Sequence, residues 1–266
     1  MYTLRKYFFN FKNWIASYER IKYLYNKRKL LKKGYKINST TDEYIVSSVN
    51  KSDIFLRKKG SDWSVFKQIT IGGEYNYIIE KIKAIISNPS LIIDCGANIG
   101  LTSYQLSYAF PNCRIISVEP DFGNYTQLLK NLNGRTNLLG LNKAIWSEKR
   151  MLNFDYDFRD GQDWSVRTTD EKTLSGVSVE SITINQILEL SGHKVIDFLK
   201  IDIEGAEKEL FKDKNTSNFL NQTKFISIEI HDEFDMSSKI YQTLKENNFK
   251  LIKCGELMFG IKNQFI

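Results

Sequence analysis

The run from Leu91 to Leu106, LIIDCGANIGLTSYQL, constrains this chain more than any other stretch. Three apolar residues, two of them β-branched, are closed by an acid and a glycine, which describes a buried parallel strand meeting a tight turn. A helix is predicted to begin near Leu101, and Gly96 and Gly100 allow the intervening backbone to turn sharply and approach a ligand. A second apolar strand, IISVEPD from Ile115 to Asp121, ends in Glu119. An acid about 20 residues past a glycine turn can accept hydrogen bonds from both ribose hydroxyls of an adenosyl group.

From Leu91 onward strands and helices alternate. The expected elements are strand Leu91 to Cys95, helix Leu101 to Ala109, strand Arg114 to Glu119, helix Tyr125 to Asn133 and strand Leu138 to Ile145. Between Met151 and Glu180 the pattern changes to short alternating segments, read as a hairpin insertion over the edge or mouth of the sheet. Helix Ile182 to Leu190, strand Asp197 to Ile203, a helix after Glu204, strand Lys224 to Ile230 and helix Ser237 to Asn247 follow, before a terminal pair near Lys250 to Cys254 and Leu257 to Ile261. Such alternation specifies an α/β fold with a mostly parallel sheet and crossover helices on both faces.

The glycine spacing separates two cofactor classes. Asp94, Gly96, Asn98 and Gly100 give D-x-G-x-N-x-G. The dinucleotide fingerprint G-x-G-x-x-G uses close-set glycines to seat a pyrophosphate on a helix N-terminus. Asn98 stands where the second of those glycines would fall. S-adenosylmethionine has no pyrophosphate, so its loop can keep a side chain there; a nicotinamide-dependent oxidoreductase is the alternative.

The 266 residues, 42% of them hydrophobic, suffice for one sizeable core with an extension. The expected division is a basic helical extension over 1–33, an α+β lead-in or cap over 34–89, and a cofactor-binding domain over 90–266. Cys95, Cys113 and Cys254 are odd in number and lack metal-ligand spacing, which fits a reducing compartment. No secretory signal or membrane span is legible, so a cytoplasmic protein is expected. The net charge of +7 is unevenly placed: residues 1–33 hold ten basic residues against Glu19 alone, a surplus of nine, which leaves −2 for the remainder. A basic groove for nucleic acid is therefore not expected in the catalytic domain. Within 1–33 Leu4, Tyr7, Phe8, Phe11, Trp14, Ile15 and Tyr18 recur at helical spacing, predicting an amphipathic helix that packs, dimerises or rests on an anionic membrane surface.

In open α/β sheets ligands sit beyond the carboxyl ends of the strands. One strand ends in KIDIEGAE, with Asp202 and Glu204, and another in ISIEIHD, with Glu229 and His231. Asn142, Lys143 and Ala144, at the end of the third strand, are expected beside the adenine. The succession DCGANIGLTS, SVEPD, FLKIDIEGAE and IEIH, with RKKGSDWSVFKQI and GGEY upstream, resembles the FkbM-type family of S-adenosylmethionine-dependent methyltransferases over roughly Ile54 to His231. The resemblance implies a Rossmann-like class I methyltransferase fold with a seven-stranded sheet, and O-methylation, often of sugar or polyketide-type hydroxyls. On its pattern Asp94, Gly96, Asn98, Gly100, Glu119 and the adjoining Pro120 line the cofactor, while Asp202, Glu204, Glu229 and His231 stand near the reacting groups, Asp202 also bordering the cofactor.

A hydroxyl acceptor must lose a proton. His231 is the candidate base, because its ordinary pKa lies near working pH; His193, in an SGHK turn, is expected at the surface. Asp202 could orient the acceptor, take its proton, or join Glu204 and Glu229 in holding a divalent cation, for which oxygen ligands would suit Mg²⁺ or Ca²⁺. Trp63, Arg159, Trp164 and Arg167 lie in segments that could cover the pocket. No N-P-P-Y-like motif follows the fourth strand, as a base-methylating enzyme would need. A scaffold assembled through the N-terminal helix is the reading from a different class.

Overall fold

The structure is a computed structural model that describes residues 28, 30–155, 167–171, 176–212, 216–231 and 236–266. The predicted amphipathic helix thus lies outside the described residues except for 28 and 30–33, as do Arg159 and Trp164. Two compact units divide the chain between Lys58 and Lys59. The first holds an antiparallel sheet of β1 (Tyr35–Ser39), β2 (Glu43–Ser48) and β3 (Lys51–Arg57). The strand β1 was not expected from its sequence, YKINS, in which Ile37 alone is buried. Residues 59–89, read as part of a lead-in, fall in the second unit instead.

That second unit opens on helix α1 (Asp62–Phe66), which runs directly into a π-helical turn over Lys67–Gly72. Sequence reading assigned no element here, because polar and aromatic residues interrupt any simple period; Val65, Phe66 and Ile69 nevertheless share a buried side. Helix α2 (Asn76–Ile85) ends before Asn88 and Pro89 and leads to β4 (Leu91–Cys95). There follow α3 (Leu101–Ala109), β5 (Arg114–Val118), α4 (Phe122–Asn131), β6 (Leu138–Leu141), β7 (Ala144–Ile145), β8 (Met151–Asp155), β9 (Arg167–Thr169), β10 (Ser178–Ile182) and α5 (Ile184–Ser191). The chain finishes with β11 (Ile196–Ile201), α6 (Glu207–Lys212), α7 (Thr216–Asn221), β12 (Thr223–Glu229), α8 (Ser237–Glu246), β13 (Phe249–Cys254) and β14 (Leu257–Lys262).

Seven of these strands form one sheet in the order β13-β14-β12-β11-β4-β5-β6. The five from β12 to the edge strand β6 are parallel, and β14 runs against both of its neighbours. Every residue of β4 and β11 is buried, as parallel strands covered by helices require. Apolar residues of α5, α6, α7 and α8 join the same core. This is the Rossmann-like class I methyltransferase architecture. The stretch expected as one strand, Leu138 to Ile145, is two: β6 closes the large sheet, and β7 starts a second sheet of order β7-β10-β8-β9, in which β8 runs antiparallel to both β10 and β9. Among the described residues no helix is long and apolar enough to cross a membrane.

Register decides where the chemistry lies. Cys95 pairs with Val118 and with Ile201, Ile201 with Ile228, and Val118 with Leu141, so the carboxyl ends of five strands finish level. Chain order runs outward from β4 through β5 and β6, then outward the other way from β11 to β12. The crevice between β4 and β11 is therefore the topological switch point, where ligands bind in such sheets. At the opposite end Asp197, 2% exposed, accepts hydrogen bonds from the backbone N–H groups of Ser90 and Leu91 (2.6 and 3.1 Å), from the Ser90 hydroxyl and from Lys224 Nζ (2.7 Å). One carboxylate thereby ties together the starts of β4, β11 and β12.

Candidate active site

The loop after β4 is shaped by two left-handed glycines and an asparagine. Gly96 has φ +75°, and a Cβ placed there would stand 1.7 Å from the backbone oxygen of Asp202. Only glycine lets the β4 and β11 loops touch in this way. Asn98 takes φ +50°, with its Oδ1 accepting from the Ile99 N–H at 2.7 Å, a local bond that suits asparagine to this conformation. Its own N–H donates to Glu119 Oε2 at 2.8 Å, while the Asp121 N–H donates to Glu119 Oε1 at 3.0 Å. Asp121 in turn caps α4 through the Asn124 N–H. Burial pushes the Glu119 carboxyl up to about 7 against the lowering effect of those two backbone donors.

Beneath the loop lies Lys200, a buried ammonium on β11. It donates to the Gly96 carbonyl at 2.6 Å and ion-pairs with Asp94 at 3.1 Å and Asp202 at 3.5 Å. Burial alone would lower its pKa; the charges of Asp94 and Asp202 outweigh that and raise it well above the usual lysine value. Asp94 also accepts from the Ser103 hydroxyl at 2.6 Å, and Ser103 meets Ser117.

These loops border a cavity of about 240 Å³. Of the residues expected at the cofactor, Gly96, Asn98, Glu119, Pro120 and Asp202 line it. Asp94 does not; fully buried, it supports the loop through Lys200 and Ser103. Gly100, at φ +83°, packs against Leu128 and Leu132 and turns the chain into α3. Ala144 lies in a small core with Trp146, Leu152 and Phe154. Asn142 braces the Glu119 and Pro120 carbonyls, and Lys143 pairs with Glu180. Trp63 packs in a tilted pair with Phe66, while Val65 of the same helix and Gln68 and Ile69 of the π-helical turn line the cavity.

The same cavity gathers all four residues expected near the reacting groups: Asp202, Glu204, Glu229 and His231. His231 Nε2 stands 3.5 Å from Glu204 Oε2, 3.7 Å from Glu229 Oε1 and 3.9 Å from Asp202 Oδ1. Its Nδ1 is 3.0 Å from Glu207 Oε1, which also accepts from the Ile203 N–H. Burial opposes the charged imidazole, but the hydrogen bond to Glu207 and the charges of Glu207, Glu204 and Asp202 push its pKa up to about 9. Burial, reinforced by repulsion from Asp202, pushes Glu229 up to about 7. Glu204 adopts φ +52°, the one left-handed residue among those described that is neither glycine nor asparagine. His193 sits in the turn before β11, its Nδ1 against the Ser191 carbonyl.

Several participants escaped sequence reading. Glu207 is the last acid of the EGAE string, but its role requires knowing that α6 begins there. Gln68 and Glu74, bonded to each other at 2.8 Å, come from the segment assigned no element. Phe154 and Thr168 reach the cavity from the second sheet, and Glu256 from the β13–β14 turn.

The donor side fits S-adenosylmethionine. Each Glu119 oxygen accepts one backbone N–H and keeps acceptor capacity for a ribose hydroxyl, and Gly96 presents backbone where a side chain could not stand. The Methyltransferase FkbM domain matches residues 94–251. A curated relative, "Methyltransferase sdnD" of Sordaria araneosa, is 24% identical over 203 residues, covering 63% of this chain and 76% of that protein. Among solved structures, a precorrin-6y C5,15-methyltransferase from Geobacter metallireducens aligns with TM-score 0.41 and 12% identity over 71% of this chain and 88% of its own. Aeropyrum pernix fibrillarin with natively bound S-adenosyl-L-methionine aligns with TM-score 0.40 and 11% identity, over 85% and 98% respectively.

Proposed function

The chain belongs to the FkbM methyltransferase family, and on that premise we propose that it is an S-adenosylmethionine-dependent O-methyltransferase acting on a hydroxyl of a sugar, glycan or related metabolite. The observation that carries this reading is the meeting of two groups in one cavity: the Gly96–Glu119 loops, and Asp202, Glu204, Glu229 and His231. S-adenosylmethionine, when bound, supplies a methyl group activated by its sulfonium. Glu119 holds the ribose hydroxyls, and the backbone at Gly96 lets the donor lie against β4. Carboxylate oxygens of Asp202, Glu204 and Glu229 suit an acceptor rich in hydroxyl donors, which they would orient for in-line attack. The proton leaving the hydroxyl passes into this carboxylate and imidazole cluster, whose members share protons closely enough to act as a unit. Val65, Ile69 and Phe154 provide apolar walls that exclude water.

Incubation of the purified protein with methyl-labelled S-adenosylmethionine and a panel of sugars and hydroxylated metabolites tests the proposal. Labelled methyl ethers should form. Asp202→Ala and His231→Ala should each lower turnover by about 10²–10⁴-fold, far more than they weaken donor binding, whereas Glu119→Ala should chiefly weaken donor binding. Label found on nitrogen or carbon would sink the O-methyl assignment.

A further inference from the structure

Asp202, Glu229 and His231 each offer a ligand atom within 4.8 Å of the other two. They arrive from two adjacent, level strand ends, Asp202 directly after β11, Glu229 as the last residue of β12 and His231 two residues beyond it, so the arrangement is set by the sheet. The His231 side chain is only 4% exposed, yet no hydrogen bond among the described residues reaches its Nε2, which points into the cavity. Its nearest oxygens stand at 3.5 to 3.9 Å, too far for a good hydrogen bond. A first-row ion with bonds of about 2.1 Å spans ligand pairs about 3.0 Å apart in cis and about 4.2 Å in trans, a range that covers the separations from Nε2 to Asp202 and Glu229.

The opposite ring nitrogen supplies an independent indication. A metal-bound histidine almost always engages a carboxylate or carbonyl with its other nitrogen, which fixes the ring and directs the free lone pair at the ion. Here Glu207, 2% exposed, does so at 3.0 Å, and is itself anchored by the Ile203 N–H. Charge balance points the same way: Asp94, Asp202, Glu204, Glu207 and Glu229 are five carboxyl groups around one lysine, Lys200.

We infer that Asp202, Glu229 and His231 form a mixed nitrogen and oxygen site for a divalent first-row cation of the Mn²⁺ type, with Glu207 as the positioning residue behind the histidine. The imidazole moves the preference away from the Mg²⁺ or Ca²⁺ expected of oxygen ligands alone. Three protein ligands leave coordination positions open to water and to an acceptor oxygen. Cation binding stands apart from the methyl transfer proposed above; only the ion's role toward the acceptor rests on that reading.

The test uses the full-length, untagged protein, stripped with chelator and titrated with MnCl₂ by calorimetry, followed by pulsed electron paramagnetic resonance of bound Mn²⁺. One ion per chain with coupling to an imidazole nitrogen is expected. Asp202→Asn, Glu229→Gln and His231→Ala should each weaken Mn²⁺ at least tenfold, and Glu207→Gln about 10–100-fold, with S-adenosylmethionine binding by the Glu207, Glu229 and His231 variants, and far-ultraviolet circular dichroism of Asp202→Asn, reporting an intact fold. Absence of nitrogen coupling in the wild-type protein, or Mn²⁺ affinity unchanged in variants that still bind the donor, would overturn the site. Methyl transfer surviving in chelator together with failed Mn²⁺ binding refutes the metal alone. Tight Mn²⁺ binding without any methylated hydroxyl refutes the O-methyl reading and leaves the metal site standing.

Discussion

Glu119 shows how one buried acid can be prepared for a ligand. With two backbone N–H donors at 2.8 and 3.0 Å it is oriented, yet burial still raises its pKa to about 7. Only the ionised form can accept from both ribose hydroxyls, so donor binding selects the carboxylate. The sign follows: above pH 7 the group is already ionised and affinity is flat, while below pH 7 each unit of acidification costs about tenfold, because a proton must first be expelled. Calorimetric dissociation constants for S-adenosylmethionine between pH 5.5 and 8.5 should show that slope in the wild-type protein and lose it in Glu119→Gln. An equally steep slope in the variant would mean that another group is titrating.

At the scale of elements, the helices and strands of the large sheet were legible where burial is two-sided or periodicity long. The runs of β4 and α3 were bounded from sequence as they stand, because an all-buried strand and a glycine-led helix leave few alternatives. The second sheet was visible only as a change of pattern, since its pairing depends on β7 and β10 meeting across distant sequence. The α1 segment was illegible: one buried side spread across an α-helix and a π-helical turn carries no single period. The same contrast holds in the site, where strand-terminal acids could be named but Lys200 and Glu207 could not, because their partners are made by register. Asp197 belongs to this scale too. Asp197→Asn would strip Lys224 of its counter-ion and weaken two backbone bonds, costing about 2–4 kcal/mol in denaturant unfolding. The partners hold the Asp197 pKa below its ordinary value against the effect of burial, so this contribution is present above the unfolded carboxyl pKa of about 4 and is lost as pH falls through the lower folded value.

Across the whole molecule, charge is segregated: residues 1–33 hold a surplus of nine positive charges, and the remainder sums to −2. The cavity is lined by Asp202, Glu204 and Glu229, so the basic segment rather than the cavity is the part suited to an anionic surface. At about 1 kcal/mol per basic residue near such a surface, even a few of these side chains would hold the protein there. Co-sedimentation with vesicles containing phosphatidylserine should therefore exceed that with neutral vesicles at low salt, and fall at several hundred millimolar salt as screening shortens. Equal, negligible sedimentation with both would leave the segment to packing or dimerisation.

The contact of the Asp202 backbone with Gly96 bears on how such an enzyme could be retargeted. The loop after β4 and the residues following β11 share one van der Waals surface with no room for a methyl group, so neither can be exchanged for a homologous segment without refitting the other. On the proposed function, variation in acceptor preference would enter from outside that seam, through the lining residues Gln68 and Glu74, Phe154 and Thr168 of the inserted sheet, and Glu256. Libraries confined to those positions should retain donor use while their acceptors diverge, whereas grafts that cross the seam should yield insoluble protein.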